Sequence, residues 1–139
     1  MNIHIFDFDG VICDSNHIKT SCLKRSVEKN INKVAAEDFE KHHKSNGGIS
    51  RYIKFDRLIK KYNCKKEVYE TMLKDAKDFL ENEFKSLKMI KNTEKIFELF
   101  YESKDKLYIA SGGDEKEIMD LCNKWNIDKY FSGIYGSPK

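Results

Sequence analysis

The sequence is poor in the residues that build unusual architectures. One proline and seven glycines in 139 residues exclude collagen-like and linker-dominated chains. The four cysteines, Cys13, Cys22, Cys64 and Cys122, include no Cys-x-x-Cys pair and read as reduced, mostly structural thiols. No stretch approaches the roughly 20 apolar residues of a membrane span, and Asp7 stands where a secretory leader needs an apolar run. Neither sign of charge dominates. Lys and Arg number 26 against 23 Asp and Glu, a net charge of +3. The signs interleave, as in Lys74-Asp75-Ala76-Lys77-Asp78, without the one-sign stripe of a nucleic-acid binder. The expectation is a soluble, cytoplasmic protein with neither nucleic acid nor membrane as partner.

What is present is material for a core: 40 % hydrophobic residues, with 9 Phe, 7 Tyr and 1 Trp. Ile3 to Phe8 is apolar on both faces apart from His4, which predicts a central parallel strand covered on both sides. Gly10 ends it. From about His17 to Phe84 the periodicity is helical. Ile49, Tyr52, Ile53, Leu58, Ile59 and Tyr62 keep largely to one face, as do Val68, Met72, Ala76, Phe79 and Leu80. Asn46-Gly47-Gly48 interrupts this stretch as a loop. A helix over Glu94–Ser103 leads into a strand at Leu107–Ala110, and Ser111-Gly112-Gly113 turns the chain. Asp114 and Glu117 then resemble a capping box. The helix they open places Ile118, Leu121, Cys122 and Trp125 on one face, and a short strand follows at Gly133–Tyr135. This order predicts an α/β fold. Its Rossmann-like parallel core has about three strands, from residues 1–14 and 89–139, with an α-helical cap inserted at 15–88.

In open parallel sheets ligands bind beyond the carboxyl ends of the strands. The polar residues at those ends are Asp7 and Asp9, Ser111, and Lys139. Asp-x-Asp places both carboxylates on one side of an extended segment, where they repel unless a cation lies between them. Mg²⁺ suits them, because it takes one or two carboxylates together with phosphate and water. A carboxylate so held can attack phosphorus, and a second acid can protonate the leaving alkoxide and then activate water. A solvated strand end is the plainer meaning of Asp-x-Asp taken alone. A hydroxyl followed by two glycines at a helix N-terminus is an anion seat, or else an ordinary strand-to-helix turn. Lys139 offers a point charge, or is a loose terminal lysine. In the helical insertion, Arg51 and Lys54 either reach a second anionic group of the substrate or form a solvated helix start. His42-His43 reads as polar cap surface, since adjacent helical positions diverge and no ligand lies at i+4. Cys13 reads as a small packed residue and His4 as a hydrogen-bonded sheet histidine.

Asp-Phe-Asp-Gly-Val, Ile-Ala-Ser-Gly-Gly and Tyr-Gly-Ser-Pro-Lys resemble the first three motifs of the haloacid dehalogenase superfamily. The likeness is to its phosphatase branch with a helical cap after the first strand. Asn46-Gly-Gly-Ile-Ser-Arg51-Tyr-Ile-Lys54-Phe is similar to the cap of some of these enzymes. The resemblance implies that Asp7 is nucleophile and Mg²⁺ ligand. Asp9 would be the general acid/base, lending its backbone carbonyl to the metal. Ser111 would bind phosphoryl oxygens, and Lys139 would stabilise the nucleophile–phosphate pair. Gly10, Asn46, Arg51, Lys54 and Gly112 would contact a small phosphorylated metabolite. Asp9 argues against the dehalogenases, whose halide needs no proton, and against the ion-pump ATPases, which resemble this pattern with Thr there. A phosphatase or a phosphomutase remains.

The family's fourth motif, an acidic pair on a further strand, has no counterpart before Lys139. Two more strand–helix units would need on the order of 60 residues, and a sheet without them leaves an apolar edge exposed. The expectation is therefore a truncated chain, completed by a missing C-terminal segment or by another chain, that alone holds Mg²⁺ poorly and turns over little. The alternative from a different class is a non-catalytic phosphate-binding or interaction module.

Overall fold

Apolar residues that recur at every second position build the sheet. β1 (Ile3–Phe6), β2 (Lys106–Asp114) and β3 (Phe131–Ser137) pair in parallel in the order β1-β2-β3. The computed structural model describes residues 1–138. Six helices accompany the strands: α1 (Asn16–Asn30), α2 (Lys33–Ser45), α3 (Arg51–Lys61), α4 (Lys66–Glu83), α5 (Thr93–Glu102) and α6 (Glu115–Lys124). The class is α/β, with the three-stranded parallel sheet that the sequence predicts. The chain divides into two compact units, Met1–Ser15 with Leu87–Lys139, and Asn16–Ser86. No helix among the described residues is long and apolar enough to cross a membrane. All four cysteines are free, and burial pushes the Cys122 thiol up to about 12.

In the sheet unit both crossovers run in the same direction across the sheet. Right-handedness therefore places α5 and α6 on one face. That face is filled: Phe97, Leu107 and Ile109 are fully buried, and the Phe97 ring lies 5.2 Å from Phe6 and 5.0 Å from Phe131. His4 is a hydrogen-bonded sheet histidine as expected, stacked 3.8 Å from Phe100 with Nε2 2.9 Å from Asp105 Oδ2. The opposite face is bare. Ile3 and Ile5 are 62 % and 68 % exposed, so β1 is not the doubly covered central strand that its composition predicts. The physical reason is the shared side of the two helices, which leaves nothing among the described residues to cover the alternate residues of β1.

β2 also departs from expectation. Ser111-Gly112-Gly113 does not turn the chain; these residues continue the strand as far as Asp114, which pairs with Ser137 across an irregularity in register. The extension depends on a close approach by Gly136. A Cβ there would lie 2.6 Å from Glu115 Cα and 2.7 Å from the Gly113 carbonyl oxygen.

The helical unit has its own core, with Val27, Phe39, Phe55, Leu58 and Met72 fully or almost fully buried. Two of its helices, α2 and α3, start where a polar side chain satisfies a first-turn amide: Asn32 accepts from Ala35 N at 2.8 Å, and Ser50 from Ile53 N at 3.4 Å. The buried face of α3 is not the predicted one. Arg51, Lys54, Phe55 and Leu58 point inward at i, i+3, i+4 and i+7, while Ile53 is 64 % exposed. Two cations occupy positions that hydrophobicity alone would give to isoleucines.

Candidate active site

Asp7 and Asp9 flank a fully buried phenylalanine. Phe8 is 1 % exposed and stacks 6.3 Å from Trp125, so it anchors the segment in the sheet unit, while Asp7 is exposed and Asp9 half-buried. β1 ends at Phe6, and the chain does not stay extended through Asp9 as the sequence reading assumed. It closes instead into a tight loop. The Phe8 carbonyl accepts from the amides of Val11, Ile12 and Cys13 at 3.2, 2.8 and 3.0 Å, and Gly10 N donates to the Cys13 carbonyl at 2.8 Å. Gly10 sits at φ 77, a conformation that a Cβ would strain. The loop is tied at its far side, where Asp14 N donates to Lys88 O at 2.9 Å and Ile90 N to Ile12 O at 2.8 Å.

This loop brings in a residue that the sequence reading missed. Ser15 is 1 % exposed, and its hydroxyl donates to Asp9 Oδ1 at 2.5 Å. A serine just before a helix reads as a cap, which hid this role; only the fold of the loop returns it to Asp9. Asp7 Oδ1 accepts from Phe8 N at 2.7 Å.

Ser111 lies on the neighbouring strand at the same end of the sheet. Phe6 pairs with Ile109, so the parallel register carries Asp7 toward Ala110 and the Ser111–Gly112 segment. Ser111 Oγ accepts from Gly113 N at 3.1 Å, which leaves its own proton for donation to an anion. The expected anion seat on the helix N-terminus is corrected: α6 starts at Glu115, and Asp114 caps it by accepting from Glu117 N at 3.1 Å. With Asp114, Glu115 and Glu117 clustered there, the dipole of α6 is met by the chain's own carboxylates. Lys139 lies outside the described residues.

The remaining candidates belong to the helical unit. Asn46 ends α2, donating from Nδ2 to His42 O at 2.8 Å, and Gly48 follows at φ 85. Arg51 and Lys54 are 7 % and 2 % exposed, so neither forms a solvated helix start. Lys54 Nζ lies 2.9 Å from His43 Nδ1, and the His43 ring stacks 5.2 Å from Phe39. His43 is thus half-buried against α3 rather than polar surface. Burial, reinforced by the charge of Lys19, lowers the Lys54 ammonium to about 8.

The donors at the sheet end, carboxylates and the Asp9 carbonyl, are all hard oxygens, which is the chemistry Mg²⁺ selects. Among the described residues no three or more His, Cys, Asp or Glu gather as a metal site. The oxygens that could hold such an ion are the Asp7 carboxylate and the Asp9 backbone carbonyl, with water and phosphate left to its other positions.

The family model for haloacid dehalogenase-like hydrolases matches residues 4–139. The chain belongs to that family. A hydrolase from Pseudomonas syringae superposes with a TM-score of 0.75 at 16 % identity, over 98 % of this chain and 61 % of that one. A protein described as a predicted phosphatase from Clostridium acetobutylicum gives 0.73 at 21 %, over 98 % and 61 %. A predicted phosphoglycolate phosphatase from Haemophilus somnus 129pt gives 0.72 at 12 %, over 99 % and 64 %. At these identities the likeness establishes a haloacid dehalogenase-like fold. The chain spans less than two thirds of each of these relatives. None of the curated proteins matches it.

Proposed function

We propose that this haloacid dehalogenase-like chain carries the phosphoryl-accepting half of a phosphatase site for a small phosphorylated metabolite. The observation that supports the reading is the Asp7–Asp9 loop, pinned by buried Phe8 and by Ser15, at the same sheet end as Ser111. In this reading an Asp7 oxygen attacks phosphorus and the bond from phosphorus to the substrate oxygen breaks. Asp9, as the carboxylic acid, gives its proton to the departing alkoxide. As the carboxylate it then takes a proton from water, whose oxygen attacks the aspartyl-phosphate. Asp7 and inorganic phosphate are regenerated. The Ser111 hydroxyl and the Gly112 amide donate to phosphoryl oxygens, and Lys139 adds positive charge. Gly10 permits the turn that presents Asp9. Mg²⁺ on the Asp7 carboxylate and the Asp9 carbonyl would neutralise charge on the phosphoryl group.

A second reading rests on the absence of a third metal-binding acid among the described residues. It makes the chain a phosphate-binding module that retains the fold without turnover. Incubation with ³²P-labelled phosphomonoesters and Mg²⁺ separates the two. The phosphatase reading expects slow phosphate release, with acid-stable label on the wild-type chain and none on Asp7→Asn. Release that survives Asp7→Asn overturns it, and phosphate binding without label or release establishes the second reading. An isomerised sugar phosphate in place of free phosphate would identify a phosphomutase.

A further inference from the structure

α5 carries Glu94, Glu98 and Glu102 in one stripe, each four residues from the next. That placement works against the helix. Like charges at i and i+4 repel, and Glu98 and Glu102 lie toward the negative end of the dipole, with no basic residue in the last turn to offset them. Elsewhere the chain gives the same spacing to opposite charges, as in Lys44–Glu40, Lys60–Asp56, Lys74–Asp78 and Lys116–Asp120. Beside the stripe is an open cavity of about 330 Å³, lined by Glu98, Tyr101, Glu102, Lys129 and Tyr130. Two rings form its corner. Tyr130, 7 % exposed, meets Tyr101 edge to face with centroids 5.7 Å apart, and its hydroxyl donates to Glu98 Oε1 at 3.2 Å. The Lys129 ammonium sits over the Tyr130 face, 5.2 Å from the centroid. Burial raises the Tyr130 phenol, and the charges of Glu98, Glu94 and Glu102 raise it further, so the whole stripe acts on this ring.

We infer that this aromatic corner and its carboxylates bind a linear polyamine, one ammonium taking the place of Lys129 over the Tyr130 ring and the next ones following the stripe along α5. Three observations choose this ligand. The chain's own ammonium on the Tyr130 face shows that the ring accepts a cation there, through the negative face of its π-system. The carboxylates recur about every 6 Å along the helix axis, four residues at about 1.5 Å each, and trimethylene and tetramethylene spacers hold amines about that far apart. Those spacers are apolar and need cover, which the Tyr101 and Tyr130 rings supply, much as a lysine stem lies along apolar surface. A hydrated divalent ion would use only the oxygens and leave both rings idle. Tyr130 immediately precedes β3, so the cavity lies toward the amino ends of the strands, whereas Asp7 and Ser111 lie toward the carboxyl ends. Polyamine binding there depends on nothing in the phosphatase reading.

Calorimetric titration of the 139-residue chain with spermidine tests the inference, and NMR shifts of the Tyr101 and Tyr130 ring protons report where the amine lies. One saturable site is expected, with both rings shifted. Glu98→Gln with Glu102→Gln, at two exposed positions, should weaken binding at least about tenfold. Relief of like-charge repulsion should leave that variant's helical circular dichroism intact. Tyr101→Ser should weaken binding roughly fivefold, and Lys129→Ala, which clears the ring, should tighten it. Glu67→Gln with Glu70→Gln removes two exposed carboxylates from α4 and should leave the affinity as it is. Absence of saturable binding in the millimolar range overturns the proposal. An equal loss in the α4 variant overturns it by assigning the attraction to net charge. Displacement of spermidine by equimolar Mg²⁺ without any ring shift overturns it by making the stripe a plain cation site. Asp7→Asn should bind spermidine as the wild type does, so failure here and failure of the phosphatase reading are separate results.

Discussion

At the scale of single residues, Lys54 is held where burial disfavours its charge. An ammonium 2 % exposed, 2.9 Å from an imidazole nitrogen, is held charged against burial, and its folded value falls to about 8 from 10.5. Between those values the unfolded chain binds more protons than the folded one, so stability must rise with pH across the window. The full span amounts to roughly 3 kcal/mol. Urea unfolding at pH 7.5 and 9.5 should show the rise in wild type, and Lys54→Met should flatten it. A wild-type curve without slope would mean that the amine is hydrated. Ser15 makes a catalytic counterpart. Its hydroxyl reaches Asp9 Oδ1 but no position assigned to substrate, so it is a positioning residue. Losing one hydrogen bond to a carboxylate is worth about 1.5 kcal/mol. Ser15→Ala should therefore lower kcat for phosphate release roughly tenfold with KM unchanged, and Ser15→Thr should restore it. A loss confined to KM would remove Ser15 from the positioning role.

At the scale of elements, the departures share one cause: a pattern read along the chain cannot see what a segment will meet. α3 shows it best. Its apolar residues suggest a face through Ile49 and Ile53, yet the helix turns Arg51 and Lys54 inward beside Phe55 and Leu58. Periodicity made α3 to α6 legible, while α1 and α2 were legible only as part of one helical stretch from about His17 to Phe84, and Asp114 was legible as a cap. The bare side of β1 was not, because coverage depends on the direction of crossovers rather than on composition. Ser15 was not either, since its partner is fixed by the loop's own hydrogen bonds. The length of β2 was hidden by its glycines, which look like a turn until Gly136 is seen lying against Glu115. That contact makes a prediction. In Gly136→Ala the new Cβ meets backbone atoms at 2.6–2.7 Å, which cannot yield without moving β3 from α6. A loss of about 2–3 kcal/mol is expected in urea unfolding. In Gly133→Ala the atoms nearest the Cβ are those of the Tyr135 side chain, at 2.8–2.9 Å, and that ring is half exposed and can swing away, so a smaller loss is expected. Equal losses in the two variants would show that β3 shifts freely.

At the scale of the whole molecule, the two units differ in how their stability is made. The sheet unit exposes one apolar face. The helical unit, Asn16–Ser86, encloses its cluster and ties its helices with buried and half-buried polar links. Ser26 Oγ donates to Met72 O at 2.7 Å between α1 and α4, and Asn30 Nδ2 to Asp75 Oδ2 at 2.9 Å. Asp38 of α2 accepts from Arg57 at 3.0 Å and from Tyr62 at 3.1 Å, and it pairs with Lys61 at 2.7 Å. Burial alone would raise the Asp38 carboxyl, but the hydrogen bonds from Lys61, Arg57 and Tyr62 outweigh it and hold the group at about 2. A depressed carboxyl stabilises above its unfolded value and loses that contribution as pH falls through its folded value. The helical unit should therefore lose about 2 kcal/mol between roughly pH 4 and pH 2 through this one group. A polypeptide of residues 16–86 alone should unfold cooperatively in urea at pH 7 with the helical circular dichroism of four helices. Its unfolding midpoint should fall across the acid window, and Asp38→Asn should make that fall shallower while lowering stability at pH 7. A non-cooperative transition at pH 7 would show that the unit draws its stability from beyond its own core, and an unchanged acid slope in Asp38→Asn would assign the loss to other carboxylates.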